Sequence, residues 1–251
     1  MTPIRAAAFL IAFLILPAIG QAQGLSAGGI DPAGMTGDSF DGLIGGVGNN
    51  AVLLVLAMTA LSLAPGIAIT VTCFPFIVTV FSILRGSLGL QQSPPNMLII
   101  ALSLFLTWFI MDPVLREVWT NAGEPLRAGT ITLSEAFDRA MPPFRGFMEN
   151  RVSPETLAAM ADVAPRPDLP ADRLSILIPS FMLSELQRAF EIGFLITLPF
   201  LVIDLVVSAV LMSMGMMMVP PVVVSLPFKL GFFVIVDGWG MIAAALVRSY
   251  Q

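Results

Sequence analysis

Residues 212–221 read MSMGMMMVPP. Five of the first seven positions are methionine, two prolines close the stretch, and no charge falls within it. A connection between soluble helices is normally polar, rich in Gly, Asn or Asp. This one is apolar and soft, because methionine is unbranched and polarisable and moulds to changing surfaces. It joins two strongly apolar segments, each with a lone ionisable group, Asp204 before it and Lys229 after it. The stretch reads as the turn of a membrane-type helical hairpin, and its softness suits a gasket or plug. The plainer alternative is packing, since methionine is a common filler of apolar helices.

The composition agrees with a hairpin in an apolar setting. Of 251 residues, 57% are hydrophobic and 12% charged, with a mean hydropathy of +0.90. Soluble domains carry about 25% charged residues, so the chain is read as an integral membrane protein or one buried in a large apolar assembly. A net charge of −5 argues against nucleic acid as a partner. The absence of histidine removes His-based triads, His-ligated metals and His pH switches. One cysteine, Cys73, allows neither an internal disulfide nor a thiolate cluster. No catalytic residue, cofactor or metal is expected.

Taken in order, residues 1–22 read as a signal peptide, with Arg5, an apolar 6–16 core, Pro17 and small residues near 20–22. Residues 23–48 are a glycine-rich arm that lacks the Lys-Ser/Thr of a phosphate loop. Residues 49–112 form a first apolar hairpin. Its first part, 50–84, is uncharged and would run about 50 Å as one helix, so Pro65-Gly66 and Pro75 are read as breaks. Its second helix, 97–111, is closed by Asp112-Pro113 and would span only about 22 Å. Such short apolar helices suit contact with protein more than lipid.

Residues 113–178 are a polar helical subdomain. Thr132 and Glu135 make a capping box, with Leu133, Ala136, Phe137 and Ala140 as the apolar stripe. Pro142-Pro143 is expected to interrupt this helix. Ser153-Pro154 opens another, and APRPDLP (164–170) reads as a stiff linker. Residues 179–251 form a second apolar hairpin around the methionine loop. In it Leu183, Leu186, Phe190 and Phe194 line one side, and Glu185, Arg188 and Glu191 the other, as a stripe of surface ion pairs. The fold class is all-α: proline-broken membrane-type hairpins with a small extracytoplasmic helical subdomain. A translocated N-terminus puts Arg85 and the methionine loop in the cytoplasm and the polar region outside, in line with the positive-inside tendency.

Four ionisable residues stand out in the second hairpin: Glu185, Asp204, Lys229 and Asp237. An intramembrane charge costs a few kcal/mol and usually faces protein or water. Asp204 lies twelve positions before Met216 and Lys229 twelve after Met217, so an antiparallel hairpin brings them to similar depth as an ion pair or relay. Glu185, from a neighbouring subunit, is the rival partner for Lys229, and snorkelling of its long stem the third reading.

Several longer stretches are similar to the FliP family, the export-gate proteins of the flagellar type III secretion system and relatives of the R-type export proteins of injectisomes. They are LIPSFMLSELQRAFEIGF (177–194), LPFLVIDLVVSAVLMSMGMMMVPP (198–221), LPFKLGFFVIVDGW (226–239), VFSILRGSLG (80–89), PPNMLIIALSLFLTWFIMDPV (94–114) and EAFDRAMPPFRGFM (135–148). Pro75 departs from the pattern. The resemblance implies a homo-oligomer, of pentameric pattern, in a helically arranged ring with FliQ-type and FliR-type subunits. It also implies a place in the bacterial inner membrane at the flagellar basal body, and passage of unfolded protein substrates. The family's sealing loop maps onto Met212, Met214, Met216, Met217 and Met218. An injectisome role is the nearest alternative. An ion carrier would need a polar path through the bilayer. An intramembrane aspartic protease using Asp204 and Asp237 would need a Gly-x-Gly-Asp context that Val236-Asp237-Gly238 lacks.

Overall fold

The structure is a computed structural model that describes residues 69–90, 93–165, 173–216 and 218–250, with Met58, Thr59, Ser62 and Gly66 ahead of them. The expected signal peptide, the glycine-rich arm, Met217 and most of the APRPDLP linker lie outside the described residues. The chain divides into two units, Met1–Ile67 and Ala68–Gln251. In the first, the four described residues are helical, and the Ser62 hydroxyl donates to the Thr59 carbonyl at 2.8 Å. All that follows concerns the second, which has no β-strand among its described residues.

Helix α1 (Phe74–Ser87) is the core of this unit. Pro75 sits in its first turn, where the missing N–H costs nothing and the fixed φ helps. Phe76, Ile77, Val80, Phe81 and Leu84 are buried, at the spacing of one helical face. The α1 helix packs chiefly on a later helix, α6 (Leu174–Ser213). Where they pack, a Cβ added to Gly193 would lie 2.5 Å from Ile83 Cδ1, so glycine is what leaves room for the Ile83 side chain on α6.

Helix α2 (Asn96–Val118) does not stop at Asp112-Pro113. It runs through Pro113, passes into a π-helical turn, Trp119–Gly123, and ends in α3 (Glu124–Arg127), giving a 32-residue apolar segment. The proline removes one ladder bond, while Asp112 and Arg116 pair at 2.7 Å across the next turn, and Met111, Val114 and Leu115 pack on the core on either side. The expected short helix closed at Asp112-Pro113, and the inference drawn from its shortness, therefore fall. At the π turn a Cβ on Gly123 would meet the Trp119 ring at 2.5 Å.

Helix α4 (Leu133–Glu149) starts with the expected capping box. The Thr132 N–H donates to Glu135 Oε2 at 2.8 Å, and the Glu135 N–H donates back to the Thr132 hydroxyl at 3.3 Å. Pro142-Pro143 does not interrupt this helix. The carbonyls left free one turn earlier belong to Asp138 and Arg139, both exposed, where water can take the bond. Its expected apolar stripe is only half covered: Ala136 is buried, Leu133 and Phe137 are exposed. Met148 at the far end joins Leu177 and Phe181 in a second small core. Helix α5 (Pro154–Asp162) has Ser153 as N-cap.

The two apolar runs around Pro199 are one 40-residue helix, α6, which also passes through Pro179. Buried hydroxyls along it are satisfied internally: Ser180 donates to the Ile176 carbonyl and Ser184 to that of Ser180, as buried polar groups require. The run after the methionine loop is not one helix. It is α7 (Pro221–Ile235) and α8 (Gly238–Arg248), bent by 59° at the joint. Phe233 and Trp239 pack edge to face across that joint with centroids 5.5 Å apart.

Candidate functional site

The methionine loop is shaped by its backbone. Gly215 takes φ +76°, the left-handed conformation that glycine adopts without strain. The Gly215 N–H donates to the Met212 carbonyl and the Met216 N–H to that of Leu211, the two bonds of a Schellman closure. Pro220 then flanks α7 and Pro221 occupies its first position, so the loop is stopped at both ends. Met212 lies on the last turn of α6, and Met214, Met216 and Met218 follow it in the loop. All four are exposed, Met218 at 97%. Burying a methionine side chain is worth about 1.5–3 kcal/mol, so this loop holds unused apolar surface.

Twelve residues down each arm is a polar base. Lys229 Nζ donates to Asp204 Oδ2 at 2.6 Å and to the Ser87 carbonyl at 3.1 Å. The Ser225 hydroxyl donates to the other Asp204 oxygen at 2.5 Å. Lys229 is 3% exposed; the Asp204 side chain is 31% exposed. The ammonium thus has a carboxylate and the carbonyl end of α1, where the helix dipole favours a cation. Gly89, at φ +79°, lies where an added Cβ would touch Leu226 and Val222 at about 3.8–3.9 Å. The turn after α1 is therefore seated against the first turns of α7, and the hairpin is tied to α1 by both charge and packing.

Glu185 is elsewhere. It is fully buried, not part of a surface stripe, and it does not meet Lys229 within the chain. It accepts from Arg151 Nε at 3.0 Å, Arg188 Nη1 at 3.4 Å and the Tyr250 hydroxyl. Arg151 also donates to the Ser249 carbonyl at 2.8 Å and lies 4.0 Å above the Tyr250 ring. Burial, and then the Glu185 carboxylate, push the Tyr250 hydroxyl above its ordinary range, so it stays a donor. The inward turn of Glu185 sends Leu183, Leu186, Phe190 and Phe194 outward, and all four are exposed. The apolar side of α6 is thus uncovered in the single chain.

Asp237 does not join a buried charge network either. It is exposed, at the α7–α8 joint, with φ +48°. Arg151, Tyr250, Ser225 and Ser87 are the partners that sequence reading missed. Ser225 could have been found, four positions before Lys229 on the same helical face. Arg151 and Tyr250 gave no signal, being 34 and 65 positions from Glu185.

The class of protein is now defined: an all-helical membrane protein with two helices, Asn96–Arg127 and Leu174–Ser213, long and apolar enough to cross a bilayer, and a third candidate in the bent pair α7–α8. The chain belongs to the FliP family, whose profile matches residues 57–246. Similar proteins include the flagellar biosynthetic protein FliP of Caulobacter vibrioides, 50% identical over 209 residues, covering 82% of this chain and 79% of that one. The protein of the same name from Bacillus subtilis is 47% identical over 205 residues, covering 80% and 93%. That of Rhizobium meliloti is 41% identical over 253 residues, covering 98% and 99%. Members of this family are components of the flagellar type III export apparatus.

Proposed function

We propose that the chain is a core, ring-forming subunit of the flagellar export gate, at the entry of the channel through which unfolded flagellar subunits leave the cell. It sits in the inner membrane with FliQ-type and FliR-type partners, its polar middle region on the periplasmic side. Met212, Met214, Met216, Met217 and Met218 form the seal around the moving chain. The observation that carries this reading is an uncharged loop with Met218 97% exposed, held on a hairpin whose base is pinned by Asp204 and Lys229. Soft sulfur side chains can close on one another and on varied substrates. The uncovered apolar side of α6 supports assembly, since it needs either lipid or neighbouring subunits.

The test replaces Met216, Met217 and Met218 together by alanine in the organism. Small-molecule leakage, secretion of flagellar subunits and complex integrity on a native gel are then measured. An intact complex that leaks or secretes abnormally supports the seal. An intact, tight complex with normal secretion returns these residues to ordinary packing.

A further inference from the structure

We infer that the methionine loop is an oxidation site: hydrogen peroxide converts its thioethers to sulfoxides and so loosens the seal. The inference rests on the seal proposed above and adds a chemical modification of it with a defined consequence.

The thioether side chains of the loop are presented to solvent. Gly215 at φ +76° and the helix-opening Pro220-Pro221 set the turn through its backbone. Met212, Met214, Met216 and Met218 stand 60%, 66%, 41% and 97% exposed. Their neighbours give no cover, since Ser213, Gly215 and Pro220 are exposed too. Met111 and Met148, at 1% and 0%, are instead closed inside the two cores. A seal that closes on a moving chain has one side on the aqueous entry, and each passing chain parts it. Assembly therefore leaves these side chains within reach of a small, water-soluble oxidant.

The reaction is a two-electron oxygen transfer. A thioether sulfur gives a lone pair to one peroxide oxygen, the O–O bond breaks and an S=O bond forms. The proton of the transferred oxygen goes to the departing hydroxide, which leaves as water. Sulfur is oxidised by two electrons and peroxide reduced by two. A flexible apolar side chain becomes a polar one, and methionine sulfoxide reductases, one for each epimer, return the thioether.

A sulfoxide is poorly matched to this loop. Its oxygen is a hydrogen-bond acceptor, and an acceptor buried without a donor is costly. The stretch 212–221 holds one side-chain donor, Ser213, whose hydroxyl already donates to the Val210 carbonyl at 2.7 Å. The backbone N–H groups of Met214, Gly215 and Met216 are likewise engaged by carbonyls of α6. An oxidised loop therefore keeps water with it when it closes, and a wet closure passes small molecules. Met58, Met97 and Met241 are exposed as well and oxidise by the same chemistry, but in the proposed seal only the loop methionines form the closing surface.

The test treats membrane vesicles holding the assembled complex with hydrogen peroxide, then follows dye leakage and the mass of tryptic peptides. No Lys or Arg falls between Arg188 and Lys229, so one peptide, 189–229, carries all five loop methionines and no other; the peptide 146–151 carries Met148 alone. The comparison is a variant combining Met212→Leu, Met214→Leu, Met216→Leu, Met217→Leu and Met218→Leu, which stays apolar and cannot take up oxygen. At a dose that leaves 146–151 unoxidised, peptide 189–229 is expected to gain oxygen and leakage to rise several-fold. In the leucine variant, treatment is expected to leave leakage at its untreated value, whatever that value is. A loop peptide no more oxidised than 146–151 overturns the inference, as does an equal rise in the leucine variant. An oxidised loop without leakage, in a complex that alanine at Met216, Met217 and Met218 does open, overturns the inference and leaves the seal standing. If neither oxidation nor alanine opens an intact complex, the seal falls with it.

Discussion

Lys229 and Asp204 meet at 2.6 Å from opposite arms of a hairpin, one buried and the other a third exposed. The pair does more than neutralise two charges. The same ammonium also caps the end of α1 through the Ser87 carbonyl, so one side chain joins three segments below the methionine loop.

Removing one partner should therefore expose the other. A fully buried pair loses about 3–5 kcal/mol when broken from one side; with Asp204 partly open to solvent, Lys229→Met is expected to cost about 2–3 kcal/mol. Asp204→Asn should cost at least as much, since it leaves the more deeply buried Lys229 ammonium without a counter-charge, and asparagine has one oxygen for the two bonds that Asp204 accepts. Unfolding of the purified chain in detergent, read as a double-mutant cycle, checks this. Neutral single variants would show that the pair does not hold the hairpin.

The loop's shape depends on Gly215. Substitution by alanine at φ +76° is expected to cost about 1–2 kcal/mol, whereas asparagine, which tolerates that region, should cost less. Comparing the two by melting temperature and by leakage across the membrane tests the Schellman closure. Equal behaviour of the two variants would mean that the loop closes some other way.

Cys73, at the start of α1, reports on the packing of that helix in the core. It is fully buried, so a maleimide should label it only after denaturation. Gly193→Val pushes against Ile83, whose side chain already lies within 3 Å of an added Cβ, and is expected to separate the helices and make Cys73 react in the native state. Unchanged protection in Gly193→Val would place the slack elsewhere.

The capping box of α4 predicts a pH dependence. The Thr132 backbone N–H, and then its hydroxyl, hold the Glu135 carboxyl below its ordinary 4.5. A depressed carboxylate stabilises the folded state fully above its unfolded value and loses that effect as pH falls through the folded one. The melting temperature of wild type should exceed that of Glu135→Gln at neutral pH, and the difference should shrink below about pH 4. A difference that persists at acid pH would point to the cap's shape and not its charge.

Local signals were readable from residue order because their partners lie within a turn. The Thr132–Glu135 box, Ser153 ahead of Pro154, and Gly215 with its prolines each act over two to five positions. The meeting of Asp204 and Lys229 was readable too, because a hairpin is symmetric about its turn and equal counts give equal depth. Proline was misread at Pro113 and at Pro142-Pro143. Its local cost is one lost bond, and neighbouring packing or solvent met that cost, which no local rule records. The direction of α6 was also beyond reach. Periodicity shows that Glu185 and Phe190 lie on different faces, but not which face turns inward. That was decided by Arg151, 34 positions away, and Tyr250, 65 positions away, whose bonds to a buried carboxylate outweigh the burial of an apolar stripe on this chain alone. Residue order thus determined the class, the loop and the pairing across it. Tertiary structure decided which faces are left open for others, because only the folded chain shows which groups have already found partners.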